Sequence, residues 1–148
     1  EDKNQELEIT NQGDSTASST VSDLNSPSST SQYSILRAGP AQFRISIAKT
    51  PETRERGLSG RSSLDFDEGL LFIFPESSEY GFWMKDMNFP IDIIWIDSDR
   101  RVVGISENLA PGTYPQSFFP PSPVQFVLEV NANAAKTFGV AIGTTVVF

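Results

Sequence analysis

The chain contains no cysteine and no histidine. The first absence excludes disulfides, thiolate metal sites and cysteine nucleophiles. The second removes the commonest general base and metal ligand, and with it Ser-His-Asp and Cys-His catalysis. Basic residues are sparse as well: 11 Lys and Arg stand against 19 Asp and Glu in 148 residues, a net charge of −8. No basic stripe exists to neutralise phosphates, so neither nucleic-acid binding nor attachment to anionic lipid is expected. No apolar run reaches transmembrane length. Phosphate-loop, dinucleotide and zinc patterns are missing too, so no cofactor and no metal site are expected.

What is present divides sharply. Residues 1–33 are dominated by Ser, Thr, Asn, Asp, Gln and Glu, with Leu7, Ile9, Val21 and Leu24 as the only sizeable aliphatics. Six acids against Lys3 give this stretch much of the negative charge. It has too little apolar surface to offset ordering entropy, and it reads as a disordered acidic tether. Such a tether, opening on charged residues, suggests an exported or surface-anchored protein processed from a longer precursor, hence an extracytoplasmic location. Residues 34–148 hold nearly all the aromatics and suffice for one compact domain.

Within that domain, Ala41–Ala48 alternates apolar and polar residues as a half-buried strand with Phe43, Ile45 and Ile47 inward. Thr50-Pro51-Glu52 opens a short helix that Gly57 or Gly60 stops, with Leu58 and Leu64 tucked inside. Glu68–Phe74 is an apolar run closed by Pro75, fit for a strand covered on both faces. Residues 80–84 and 91–97 read as strands, the latter in a hairpin with 101–106. A proline-rich connection from Glu107 to Pro123 carries Tyr114, Phe118 and Phe119, which should pack over something. Val124–Val130 is a strand. Asn131 is placed to cap a helix over 132–138, ended by Gly139, and 144–148 is a last strand. The expected class is mainly β: a small antiparallel sandwich or distorted barrel with two short helices.

The ionic residues embedded in apolar sequence are the candidate site, because an unpaired buried charge is costly. Lys85, Asp86 and Asp92 lie in the run Gly81–Asp97, beside Trp83, Met84 and Met87. Asp92 should share a strand face with Ile94 and Ile96, either meeting an arginine or facing a ligand. Glu129, between Leu128 and Val130, either points to solvent or joins Asp92 in an acid–base pair. Arg54, Arg56 and Arg61 cluster around a compact turn, where they could hold an anion or neutralise Asp92 and Glu68. Asp97-Ser98-Asp99 lacks the glycine and distal glutamate of a calcium loop and reads as a plain turn.

Four blocks occur in order: Arg56-Gly-Leu-Ser-Gly-Arg61, Asp67-Glu-Gly-Leu-Leu-Phe-Ile-Phe74, Phe82-Trp-Met-Lys-Asp-Met-Asn-Phe-Pro-Ile-Asp92 and Val127-Leu-Glu-Val-Asn131. Together they resemble the bacterial and archaeal family known only as domain of unknown function 192. Asp86-Met87 stands where that family usually has Asn-Thr. The resemblance implies a sandwich-like β domain, often on exported proteins or lipoproteins. It implies no activity or cofactor, and it singles out Arg56, Arg61, Trp83, Lys85, Asp92 and Glu129.

The expected function is that of an extracytoplasmic accessory domain, monomeric, binding a small polar ligand, glycan fragment or peptide. The expected cleft lies near Trp83, Lys85, Asp86 and Asp92, with Arg56 and Arg61 alongside and residues 114–119 as a lid. One alternative is a carboxylate-based hydrolase or isomerase using Asp92 or Glu129. Another is a protein–protein interaction module with an exposed apolar patch.

Overall fold

The computed structural model describes residues 33–148. The tether expected over 1–33 lies outside the described residues, Tyr33 excepted. The chain order is β1 (Ser34–Ala38), β2 (Ala41–Ala48), α1 (Pro51–Arg56), β3 (Glu68–Ser78), β4 (Phe82–Trp83), β5 (Ile91–Ile96) and β6 (Val102–Leu109). A 3-10 turn (Pro111–Thr113), β7 (Ser117–Phe118), β8 (Val124–Asn131), α2 (Ala134–Phe138) and β9 (Val146–Val147) follow.

Seven strands form one sheet in the order β9-β1-β2-β3-β8-β5-β6, and β4 and β7 form a separate two-stranded ribbon. Every pairing is antiparallel except β2 with β3, which α1 connects. The sheet curls into a half-barrel. At one end its edges meet, where Arg101 bridges Thr145 and the Val146 amide donates to the Arg100 carbonyl at 2.7 Å. The domain is mainly β with two short helices, as the alternation of apolar residues predicts.

Side-chain alternation sorts the core into two clusters on opposite faces. Ile94, Ile96, Leu128 and Val130 join Phe43 and Ile45 on one face, under Ala134 and Ala135 of α2. Ile93, Trp95 and Val127 join Phe72, Leu58 and Met84 on the other. β5 is buried along its whole length, and each such isoleucine contributes about 1.5–3 kcal/mol of burial.

Local signals place α1 well. Thr50 caps it with a reciprocal bond pair to Thr53, Pro51 occupies its first turn, and Gly57 ends it. Four expectations need correction. β3 does not stop at Pro75 but runs to Ser78, because its pairing with β8 is already broken between Ile73 and Ser78, where no ladder bond is needed. Ile47 is exposed although Leu71, across from it on β3, is buried, and only Ala48 beside it joins a core cluster. The strand expected over 80–84 shrinks to Phe82–Trp83. Asn131 does not cap α2: its side-chain amide donates to the Leu64 and Asp65 carbonyls instead.

Candidate functional site

The candidate site grows from β8. Glu129 lies across from Leu70 of β3 and Ile93 of β5, so its side chain rises from the middle of three paired strands. Antiparallel partners point to the same face, here the face that carries Phe72 and Val127. The residue is buried, and its Oε1 has no hydrogen-bond partner among the described residues. Burial pushes its carboxyl up to about 8, so at neutral pH it is mostly an uncharged acid with a proton to donate.

Glu129 lines a cavity of about 260 Å³. The apolar wall comes from Phe72 and Phe74 of β3, Tyr80 and Phe82 after it, and Met87. These rings fix one another: Phe74 stacks on Tyr80 at 3.7 Å, and Phe82 meets Phe72 edge-on at 4.9 Å. Burial, then Glu76, hold the Tyr80 phenol above its ordinary value, so it stays neutral. α1 and the loop behind it close the opposite side with Arg54, Glu55, Arg56 and the segment from Gly57 to Ser59. Arg54 is anchored there: its Nη1 donates to the Lys49 carbonyl at 2.7 Å and the Ile73 carbonyl at 3.0 Å, with the guanidinium 5.1 Å above the Phe74 ring. Arg56 makes no side-chain hydrogen bond or ion pair among the described residues.

The loop that follows α1 is held by the turn after β4. Ser59 Oγ donates to the Lys85 carbonyl at 2.8 Å, the Gly60 amide to the Asp86 carbonyl at 2.9 Å, and Asn88 Nδ2 to the Arg61 carbonyl at 2.9 Å. The first and third sequence blocks therefore meet in space through backbone carbonyls. A second, more open groove of about 430 Å³ lies beside this loop, lined by Ser46, Ile47, Arg56, Arg61 and Leu70 among others.

The predicted site residues do not all converge. Arg56, Trp83 and Glu129 line the cavity. Arg61 lines only the second groove and sits 3.6 Å from buried Glu68, the internal acid expected for one of these arginines. The Lys85 and Asp86 side chains line neither; Lys85 Nζ lies 5.7 Å over the Trp83 ring. The expected lid does not cover the cavity. Tyr114 packs edge-on against Trp83 at 5.2 Å, and a Cβ at Gly81 would stand 2.7 Å from the Phe119 ring. The loop thus packs against Gly81 and Trp83, two residues that line the cavity, without lining it itself.

Asp92 is the main correction. It is fully buried on the opposite face and meets no arginine among the described residues. Its Oδ1 accepts from the Asn108 amide at 2.9 Å and its Oδ2 from the Ala135 amide at 3.2 Å. Asn133, at the start of α2, is left-handed and offers no side-chain cap. Asp92 supplies that cap from β5, the acceptor a helix N-terminus needs. It is a structural acid, and it cannot pair with Glu129. Asp97 likewise serves its own turn, accepting from the Asp99 and Arg101 amides, both at 2.9 Å. No cluster of potential metal ligands occurs among the described residues.

Sequence reasoning missed Phe72, Phe74, Tyr80 and Phe82 as cavity wall. Their density between residues 72 and 83 was the available signal.

Comparison with known proteins agrees with this architecture. A crystal structure from Sinorhizobium meliloti 1021, of a protein provisionally called a transcription regulator, is 32% identical. It matches 78% of this chain and 95% of its own with a TM-score of 0.73. A protein of unknown function from Novosphingobium aromaticivorans DSM 12444 is 28% identical over 78% of this chain and 85% of its own, with a TM-score of 0.74. No curated protein matches the chain. The family model for domain of unknown function 192, described as an uncharacterized ACR, matches residues 34–148, and the chain belongs to that family.

Proposed function

We propose that this domain binds a small molecule with a polar end, held in the cavity that Glu129 lines. One observation carries the reading: Glu129, which lines that cavity, is buried and has a carboxyl oxygen without a partner among the described residues. An unpaired buried polar group costs about 1–3 kcal/mol, which a ligand atom hydrogen-bonded to it would restore. Convergence of one such group with fixed aromatic walls is the usual anatomy of a ligand pocket. In this reading the domain works outside the cytoplasm on the Ser/Thr-rich stretch of residues 1–33, which supports export by composition alone.

The regulator name of the S. meliloti protein is not extended to this chain. Its net charge is −8. Arg44 is engaged by Asp65 and Asp67, Arg61 by Glu68, and Arg54 and Arg100 by carbonyls and rings, so these four do not form a stripe open to a phosphate backbone.

The test is native mass spectrometry of the chain purified from its own host, beside Glu129→Gln and Glu129→Leu. The expected result is a co-purifying small molecule on the wild type that Glu129→Leu loses. Ligand-free wild type, with no small molecule raising its melting temperature more than that of Glu129→Leu, would contradict the proposal.

A second reading rests on the same residue. A carboxyl titrating near 8 is tuned for general acid–base work at neutral pH. It would make the domain a hydrolase or isomerase with Glu129 as its proton-transfer group. Turnover of the co-purified molecule, abolished in Glu129→Gln, distinguishes this from binding.

A further inference from the structure

We infer that the cavity selects a small organic anion: an acidic group at the mouth beside Arg56, an unsaturated or aromatic body along the Phe82–Trp83 wall, and a hydrogen-bond acceptor at Glu129. The inference rests on the pocket reading above and adds the class of ligand.

Charge decides it. The titratable groups that line the cavity are Arg54, Glu55 and Arg56 from α1, Tyr80 after β3, and Glu129 from β8. β4 and the turn after it contribute only uncharged Phe82, Trp83 and Met87. The strand neighbours of Glu129 are Leu70 and Ile93, which carry no charge. Tyr80 is neutral and Glu129 is protonated at neutral pH. Two guanidinium groups therefore face one exposed carboxylate, and the lining is net positive. An aromatic wall with an acid at its base would otherwise suit an ammonium ion. Here that cation would have to displace the proton of Glu129 and pass Arg56 as well.

Polarity follows the same division. Arg54 has already committed Nη1 to two carbonyls, whereas the Arg56 fork has no partner among the described residues. A planar carboxylate or phosphate oxygen pair fits that fork. At the inner end, protonated Glu129 offers a donor, so the ligand atom there is a carbonyl, ether or hydroxyl oxygen. Binding is then linked to pH. Ionisation of Glu129 removes the donor and adds a negative charge to the same cavity, so affinity for an anion falls as pH rises through its titration.

Two probes of equal ring size separate the possibilities: 4-acetylbenzoate, with a carboxylate at one end and a ketone at the other, and benzyltrimethylammonium. Each is titrated into the full chain by amide and indole NMR, at about pH 6.5 and about pH 9.5, on either side of the Glu129 titration. The expected result is that 4-acetylbenzoate shifts the Trp83 indole and the Glu129 amide. Its affinity should drop several-fold at the higher pH, and about tenfold in Arg56→Met. In Glu129→Gln, whose spectrum first establishes that it folds, the pH dependence should vanish. Tighter binding of benzyltrimethylammonium at these resonances would overturn the anion class while leaving the pocket intact. So would acetylbenzoate affinity indifferent to Arg56→Met. No shift from either probe at about 10 mM, where fragments of this size bind, would contradict both the class and the pocket.

Discussion

Asp92 and Glu129 stand on adjacent paired strands yet face opposite sides of the sheet. Asp92 lies across from Val130, and Glu129 lies across from Ile93. That single register gives two buried acids different work. Asp92 is satisfied by two backbone amides and ties α2 and β6 to β5. Glu129 lines a cavity and has one oxygen without a partner among the described residues.

The first prediction concerns Asp92. Asp92→Ala strands the Asn108 and Ala135 amides and opens a hole in a fully buried site. Bonds to a charged acceptor contribute about 1.5–3 kcal/mol each, and the loss should total about 3–5 kcal/mol in urea unfolding. Asp92→Asn, which keeps one acceptor oxygen, should lose less. A cost below about 1 kcal/mol for the alanine variant would show that the cap does not form.

Glu129 makes stability depend on pH. Its carboxyl rises from an ordinary 4.5 to about 8 on folding, so the folded state holds the proton more tightly than the unfolded chain. The contribution is fully present below 4.5, is lost progressively between 4.5 and 8, and is gone above that. Within this window the slope should approach 1.4 kcal/mol per pH unit, an order-of-magnitude ceiling of about one proton. Glu129→Gln should flatten the slope and be the more stable protein at alkaline pH. Parallel pH–stability curves for the two proteins would rule out a buried titrating acid.

Gly57 shapes the cavity wall. It adopts φ 52° and ψ −131°, and an added Cβ would approach the Phe72 ring at 3.2 Å. Gly57→Ala should cost about 1–3 kcal/mol through backbone strain and perturb the Trp83 indole resonance. An unchanged melting temperature would mean that the loop relaxes freely.

The two tryptophans differ in the same way as the two acids. Trp95 is buried and donates to Ser106 Oγ at 2.9 Å, whereas Trp83 is half exposed. Ser106→Ala should cost about 1–2 kcal/mol by leaving the indole N–H unpaired. Acrylamide should quench Trp83 and spare Trp95, so that Trp83→Phe removes most of the quenchable fluorescence. Equal quenching of both would contradict the core arrangement.

Much of the fold was legible in the chain because its signals are local. The alternation in Ala41–Ala48, the Thr50-Pro51 start and the Gly57 stop each act within a few residues. Glu129 was not legible in this way. An acid between Leu128 and Val130 reads the same whether its strand lies at an edge or at the centre, and only pairing with β3 and β5 buries it. Alternation along β5 sets the face of Asp92, but its partners are backbone amides 16 and 43 residues away, which side-chain chemistry does not advertise. Pro75 misled for a related reason. Its missing N–H matters only where a partner strand needs it, and none does there.

The most direct measurement is a carbon-13 NMR titration of the Glu129 side-chain carboxyl in the folded protein. A buried, unpartnered acid at the cavity predicts a midpoint near 8. A midpoint at the ordinary value of 4.5 would place Glu129 in water and remove the basis for a site there.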